Sequence, residues 1–400
     1  MAIFNIGILF TFKYLNFTIF SLDNMVGAKI TQTAFVLPIG ISFFTFHAMS
    51  YVIDISRGSA NAQKNLLDTA LYISLFPALV AGPIIRYNTV ADQLRNRNVS
   101  IEDFSEGLRR FIIGFAKKLI IANTVAACAD QAFSTNTDGN YNISVLLIWL
   151  GAICYTMQIY FDFSGYSDMA IGLGRMFGFR LAENFNYPYI SKSITEFWRR
   201  WHISLSSWFR DYVYIPLGGS RVDSRLRLVF NLFVTWMLTG IWHGANWTFI
   251  VWGFCYFFLL TFEKLAGIPQ RVVNLSVLGI FYRIFTILCF VFGWVIFRAS
   301  DLTHAITYLK AMVGKGFIGG HTVWSDVEAQ YLLSEYAIIL LIAVLIATPV
   351  PKMIFERIFN DKKTKAAILI IKNGLYIVLF FLALSFMASS EYNPFIYFNF

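Results

Sequence analysis

Charge is what this chain has least of. Asp, Glu, Lys and Arg make up only 14% of its 400 residues, while hydrophobic residues reach 57% and aromatics 18%; ordinary soluble domains carry roughly 25% charge. The shortage excludes a conventional water-exposed surface and indicates a polytopic membrane protein. Cysteine is scarce as well. Cys128, Cys154, Cys255 and Cys289 are widely separated in or at the ends of apolar segments, with no Cys-x-x-Cys spacing. Neither a disulfide framework nor a zinc site is indicated, and each reads as a small hydrophobe. The chain also lacks an internal repeat and any long Pro, Gly or Ser-rich linker, so a single membrane domain over 1–400 is the economical expectation. The first apolar segment lacks the short core and cleavage site of a signal peptide and reads as a retained crossing.

What the chain has in abundance is apolar sequence of membrane length. A spanning helix needs about 20 apolar residues to cross about 30 Å of hydrocarbon. Segments of that character recur near 3–20, 34–53, 67–85, 111–128, 143–163, 227–241, 247–263, 279–297, 336–350 and 366–388. They predict an all-α bundle of about ten crossings. The net charge of +9 does not indicate nucleic acid, because Lys and Arg cluster in alternate connections: Arg86 to Arg110, Arg175 to Arg227, Lys264 and Arg271, and Lys352 to Lys363. That is the positive-inside pattern. It puts those connections on the cytoplasmic side, and the loops near 129–142, 242–247 and 298–335 and the tail after 389 outside.

The stretch 164–226 is too polar to cross yet rich in Trp, Phe and Tyr, and is expected along the cytoplasmic interface. Phe197, Trp201, Leu205, Trp208, Phe209 and Tyr212 recur at spacings of three and four, which predicts one amphipathic interfacial helix with Arg199, Arg200 and Arg210 on its other faces. The block Ile215-Pro216-Leu217-Gly218-Gly219 then ends it. Pro77, Gly82 and Pro83 interrupt another apolar span. Broken helices in membranes survive only where protein or a cavity satisfies the freed backbone groups, so a re-entrant segment or internal cavity is expected there.

Two of the five histidines stand among tryptophans: His202 in Phe197-Trp198-Arg199-Arg200-Trp201-His202, and His243 in Trp242-His243-Gly244. Imidazole is the side chain best suited to move a proton at neutral pH. His243 lies between two apolar segments, and Gly240 and Gly244 remove bulk where a substrate or another backbone could approach. The bland alternatives are a histidine hydrogen-bonded within a helix hairpin for His243 and a headgroup-region histidine for His202. Metal binding is not indicated, since neither has a second His or Cys nearby. Asp162 and Asp168 end an apolar span beside hydroxyls, and a carboxylate at that depth requires a partner, for Asp162 an arginine of the 196–210 segment.

At these residues the sequence resembles the membrane-bound O-acyltransferase family, and within it the bacterial alginate O-acetyltransferase branch. The resemblance rests on Phe76-Pro77 through Gly82-Pro83-Ile84-Ile85-Arg86-Tyr87, Gln158 to Asp168, Asn184-Phe185-Asn186-Tyr187-Pro188-Tyr189, Phe197 to His202, Arg210-Asp211-Tyr212 to Gly218-Gly219, and Trp242-His243-Gly244. It runs from about residue 30 to Phe400. It implies a central tunnel in a helical membrane core with interfacial and re-entrant helices, with His243 essential and His202 near the donor side. Trp198, Arg199, Trp201, Arg210, Asp211, Trp242, Gly244 and Asp162 are the tunnel candidates. It further implies acetyl-coenzyme A as a cytosolic donor substrate with no bound cofactor, and an extracytoplasmic polysaccharide as acceptor, reached directly or through an acetyl-relay partner protein. The setting would be the lipid of a bacterial cytoplasmic membrane, with further helices expected ahead of the matched region. In such a transfer His243 is the candidate general base, with Trp242 and Trp247 excluding water. The rivals are a D-alanyl transferase acting on teichoic acid, a lipid or sugar transporter, and a scaffold for polysaccharide export.

Overall fold

A computed structural model describes residues 1–27, 29–134, 144–268, 277–315, 322–359, 366–389 and 395–396. Among the described residues the chain is helical without strands. Seven helices among the described residues are long and apolar enough to cross a membrane: Ala2–Val26, Ile101–Ser134, Val145–Met176, Trp247–Ala266, Val277–Arg298, Val327–Ile346 and Ile368–Ser389. Of the remaining apolar segments, 34–53 holds the helix Ile41–Ser56, 67–85 is broken into Leu66–Ile73 and the short turn Phe76–Ala78, and 227–241 lies within Arg225–His243.

Val145–Met176 is the axis of the bundle. Its first half is apolar nearly all round and 83% of its most apolar window is buried in protein, whereas the windows of Ala2–Val26 and Ile368–Ser389 are 0% and 6% buried. A helix apolar all round belongs in the interior. Its closest neighbour is Ile101–Ser134, and the two backbones approach where glycines face each other: a methyl group added at Gly114 would lie 2.5 Å from Gly165 O. Small residues bring membrane helices within van der Waals range where no water-driven force does so.

The same interface carries the charges that the sequence leaves at membrane depth. Asp162 pairs with Lys118, both almost wholly buried, and not with an arginine of the 196–210 segment. It also accepts a hydrogen bond from Ile396 N at 2.9 Å, and Phe395 covers Lys118 with its ring centroid 4.8 Å from Nζ. Asp168 is held by Lys117 at 2.6 Å and Arg110 at 2.9 Å. Lys117 and Lys118 open a π-helical turn, Lys117–Ala122, the local widening by which a helix re-aims side chains.

The interrupted span behaves as the prolines require. His47, fully buried, accepts from Ile85 N through Nε2 at 3.1 Å, and Tyr72 donates its hydroxyl to Ile85 O at 2.8 Å and His47 O at 3.1 Å. Ser204 accepts from Ile84 N at 2.9 Å. Backbone groups freed by the break are thus satisfied by protein.

Removing one member of the Lys118–Asp162 pair leaves an uncompensated buried charge, which costs about 3–5 kcal/mol. Asp162→Leu alone is expected to lower the thermal stability of the detergent-solubilised protein sharply, and Asp162→Leu with Lys118→Met to recover most of the loss. A single variant as stable as the unaltered protein would contradict the pairing.

Candidate active site

The helices Arg225–His243 and Trp247–Ala266 form a tight hairpin. A methyl group at Gly240 would lie 2.5 Å from Phe249 O, and one at Gly244 would lie 2.2 Å from a Phe249 ring carbon. These glycines admit the returning helix, and Gly244 packs against Phe249 and lines neither of the two cavities described below. Asn246 caps the returning helix, its Oδ1 accepting from Thr248 N at 3.0 Å. His243 therefore stands at the hairpin corner, 6% exposed, with ring centroids of Trp242, Trp252 and Phe297 at 5.0, 5.1 and 5.1 Å.

The segment expected as one interfacial helix is two, Ile194–Arg200 and Ile203–Phe209, followed by the π-helical turn Arg210–Tyr214. The break falls at His202, which adopts φ 43° and ψ 54°, a left-handed conformation that costs a non-glycine residue on the order of 1–3 kcal/mol. The aromatic face does not lie on a lipid surface. Phe197, Trp201, Leu205, Trp208 and Phe209 are all buried in the main core, so the segment is packed into the bundle. The turn at Ile215–Gly219 ends it as the proline and glycines require.

Asn184 holds the break. Its Oδ1 accepts from Ser204 N at 3.1 Å and Ser204 Oγ at 2.8 Å, its backbone oxygen accepts from Ile203 N at 2.9 Å, and its Nδ2 donates to Ser167 Oγ at 3.0 Å. A backbone N–H can only donate, so the atom facing it is oxygen. His202 Nδ1, 3.1 Å from the same oxygen, is then the protonated nitrogen, and Nε2 carries the lone pair. Burial, and secondarily the neighbouring His243, hold the His202 pKa well below the usual imidazole range.

Glu263 fixes the start of Ile194–Arg200. Fully buried, it accepts from Ile194 N at 2.7 Å, Thr195 N at 2.7 Å, Thr195 Oγ1 at 2.6 Å and Tyr282 OH at 2.7 Å. A carboxylate there meets the orphan donors and the positive end of the helix. Asn184 and Glu263 carry no role in the sequence reading. The available signal for Glu263 is a carboxylate inside the apolar run 247–263, which membrane insertion penalises without a partner.

A cavity of about 690 Å³ gathers most of the candidates: Trp198, Arg199, Trp201, His202, Arg210 and His243 line it, with Leu205, Phe209, Trp236, Thr239 and Lys264. Arg199, Arg210 and Lys264 are exposed, and the two histidines are buried. The cavity therefore runs from basic side chains at the surface to imidazoles inside. Trp198 Nε1 is buried and has no hydrogen-bond partner among the described residues. Beyond His243 lies a second, smaller cavity of about 120 Å³, lined by Lys13, Ser42, Phe43, Val80, Trp242 and His243 among others. Trp242 and His243 line this cavity, and His243 lines both. Asp162 belongs to the ion pair with Lys118 and lines neither. Asp211 stands behind the basic end, gripped by Arg86 and, at 2.7 Å, by Arg210 Nε. Among the described residues no three His, Cys, Asp or Glu side chains converge as a metal site would require.

Because folded His202 refuses a proton that the unfolded chain accepts below a pKa of about 6.5, its contribution to stability is lost as pH falls through that value. Thermal stability in detergent is expected to drop from pH 7 to pH 5, and His202→Gln to flatten that drop. Parallel slopes for the two proteins would contradict a neutral buried His202.

The model of the membrane-bound O-acyltransferase family matches residues 8–304. The chain is 42% identical over 418 residues to the probable alginate O-acetylase of Pseudomonas putida, covering 99% of this chain and 82% of that protein. It is 49% identical over 311 residues to the corresponding Pseudomonas aeruginosa protein, covering 76% of this chain and 58% of the other. It is 36% identical over 337 residues to the peptidoglycan O-acetyltransferase of Helicobacter pylori, covering 78% of this chain and 63% of that protein. The teichoic acid D-alanyltransferase of Bacillus subtilis is more distant, at 33% identity over 56% of this chain. With a family match across most of its length and relatives of this identity, this multi-pass helical chain belongs to the membrane-bound O-acyltransferase family.

Proposed function

We propose that the chain transfers an acetyl group from acetyl-coenzyme A on the cytosolic side to a hydroxyl of an extracytoplasmic polysaccharide, directly or through a partner protein that carries the acetyl group onward. The observation that supports this reading most is the arrangement of His202 and His243 on one cavity, basic at its exposed end, with His243 also lining a second cavity beyond. A thioester donor carries phosphates and a small acyl group at opposite ends, and the larger cavity offers cationic and apolar surroundings in that order. Among relatives, acetyl-transferring proteins match more of this chain at higher identity than D-alanyl transferases do.

In the proposed reaction the acceptor oxygen forms a bond to the acetyl carbonyl carbon and the carbon–sulfur bond breaks. His243 takes the hydroxyl proton as the oxygen attacks and returns it to the departing thiolate, so proton and charge balance. The Trp198 indole N–H is a donor available to the thioester oxygen. Trp201, Trp236 and Trp242 keep water, a competing nucleophile, away from the acyl group. Membrane lipid and the polysaccharide or its relay protein are the partners, and the bacterial cytoplasmic membrane is the location, with Arg199, Arg210 and Lys264 toward the cytosol. The clustering of Lys and Arg in alternate connections supports that orientation.

O-acetyl release from the exported polysaccharide of a deletion strain, with membrane levels matched by immunoblot, tests the reading. His243→Ala in the full-length protein is expected to restore none. Restoration equal to that of the unaltered protein would remove His243 from the chemistry and bring transport or scaffolding forward. On the donor side, Arg199→Ala with Lys264→Ala is expected to weaken binding of radiolabelled acetyl-coenzyme A by about fivefold at low salt and less at high salt, as exposed charge contacts do. Unchanged affinity at every salt concentration would move the donor phosphates elsewhere.

A further inference from the structure

The helix that carries His243 ends without the usual means of closing itself. Its last carbonyls have no partner within the helix, and Gly244 leaves in an extended conformation, φ −173°, rather than turning back to bond them. The partners come from the first helix, more than 220 residues away in sequence. Tyr14 donates its hydroxyl to Ile241 O at 2.7 Å, and Lys13 donates to Trp242 O at 2.8 Å and His243 O at 3.1 Å. Three successive carbonyls are thus taken by two adjacent side chains. Lys13 and Tyr14 lie in a π-helical turn, Phe10–Tyr14, a local widening of the kind found where a helix must aim side chains for a purpose.

We propose that Lys13, with Tyr14 beside it, is a positioning residue for His243. The inference rests on the reading of His243 as the base. An ammonium has three donors, and Lys13 spends them on Trp242 O, His243 O and Ser42 Oγ at 3.0 Å. None remains for a substrate, so Lys13 acts through His243 and does not touch the reacting atoms. Among the described residues no carboxylate pairs with Lys13. An unpaired cation inside a spanning helix costs on the order of 2.5–3.5 kcal/mol on insertion scales. What compensates it here is the negative end of the helix that ends in His243, where cations are favoured. A neutral donor would meet the carbonyls with less attraction to that end. Ser42 in turn accepts at its backbone oxygen from Trp242 Nε1 at 3.3 Å. The first helix, the start of Ile41–Ser56 and the His243 corner are therefore joined at the wall of the smaller cavity.

The test uses the full-length protein, with kinetics of donor-dependent O-acetyl formation and hydrogen–deuterium exchange of the amides of 241–243. Misplacing a catalytic group by about 1 Å can cost on the order of 10²-fold in rate. Lys13→Met is therefore expected to lower kcat by that order with donor KM within about twofold, because it leaves the larger cavity's wall intact, and to speed exchange at the helix end. Lys13→Arg, which can still reach the carbonyls, is expected to restore at least about a tenth of kcat. The proposal is overturned if Lys13→Met keeps kcat within about twofold, or if activity falls through KM alone while exchange is unchanged. Should Lys13→Met fail to accumulate, Tyr14→Phe decides: faster exchange with a lower kcat supports the clamp, and no change in either overturns it. His243→Ala run alongside separates the two ideas. If that variant remains active, the acyl-transfer reading fails, while the exchange measurement still reports whether Lys13 holds the helix end.

Discussion

A helix that stops inside a low-dielectric slab leaves backbone donors and acceptors that water does not reach, and each must find a partner in the protein. The core of this chain is organised by that requirement. Where the span near 67–85 breaks, His47, Tyr72 and Ser204 take up its amides and carbonyls. Where the segment after Ser193 breaks at His202, Asn184 holds both strands of the turn and Glu263 closes the helix start. Where the hairpin breaks after His243, Asn246 caps one side and Lys13 with Tyr14 the other. Part of the interior's polar side chains thus sit at breaks, and His202 and His243, at two of those breaks, both line the larger cavity.

The histidines inherit their geometry from this arrangement. His202 is held in a left-handed backbone conformation that an unsupported chain would abandon, and His243 is fixed at a corner between aromatic rings. Fixed donors and acceptors in a low-dielectric interior act more strongly than the same groups in solvent. A bundle that was only apolar would offer a pocket but no orientation. Here the aromatic core supplies the dry surroundings and the amide, carboxylate and ammonium groups supply the aim.

Hydropathy made the helical membrane class legible, Pro77 and Pro83 the interrupted span, and Ile215 to Gly219 the end of the interfacial segment. Trp198, Trp201, Arg199 and Arg210, which the family resemblance implies as tunnel candidates, line one cavity with His202. Four features were not legible. The spacing of Phe197, Trp201, Leu205 and Trp208 reveals which side is apolar, but lipid and protein are equally apolar, so burial in the bundle and placement on its surface give the same pattern. One left-handed residue at His202 leaves that periodicity almost intact, which is why two helices read as one. Ion partners depend on which helices pack together: Lys118 reaches Asp162 from 44 residues away, and local sequence favoured the nearer arginines. Lys13 lies inside the apolar run 3–20, which reads as a crossing, although an ionisable residue at that depth is itself a signal.

A structure of the full-length protein bound to a non-hydrolysable thioether analogue of acetyl-coenzyme A would test the donor path most directly. The expected result places the acetyl carbonyl in the larger cavity between His202 and His243, within hydrogen-bond reach of His243 or one water away, with the phosphates at Arg199, Arg210 and Lys264. An analogue bound outside that cavity, or with its carbonyl directed away from His243, would contradict it.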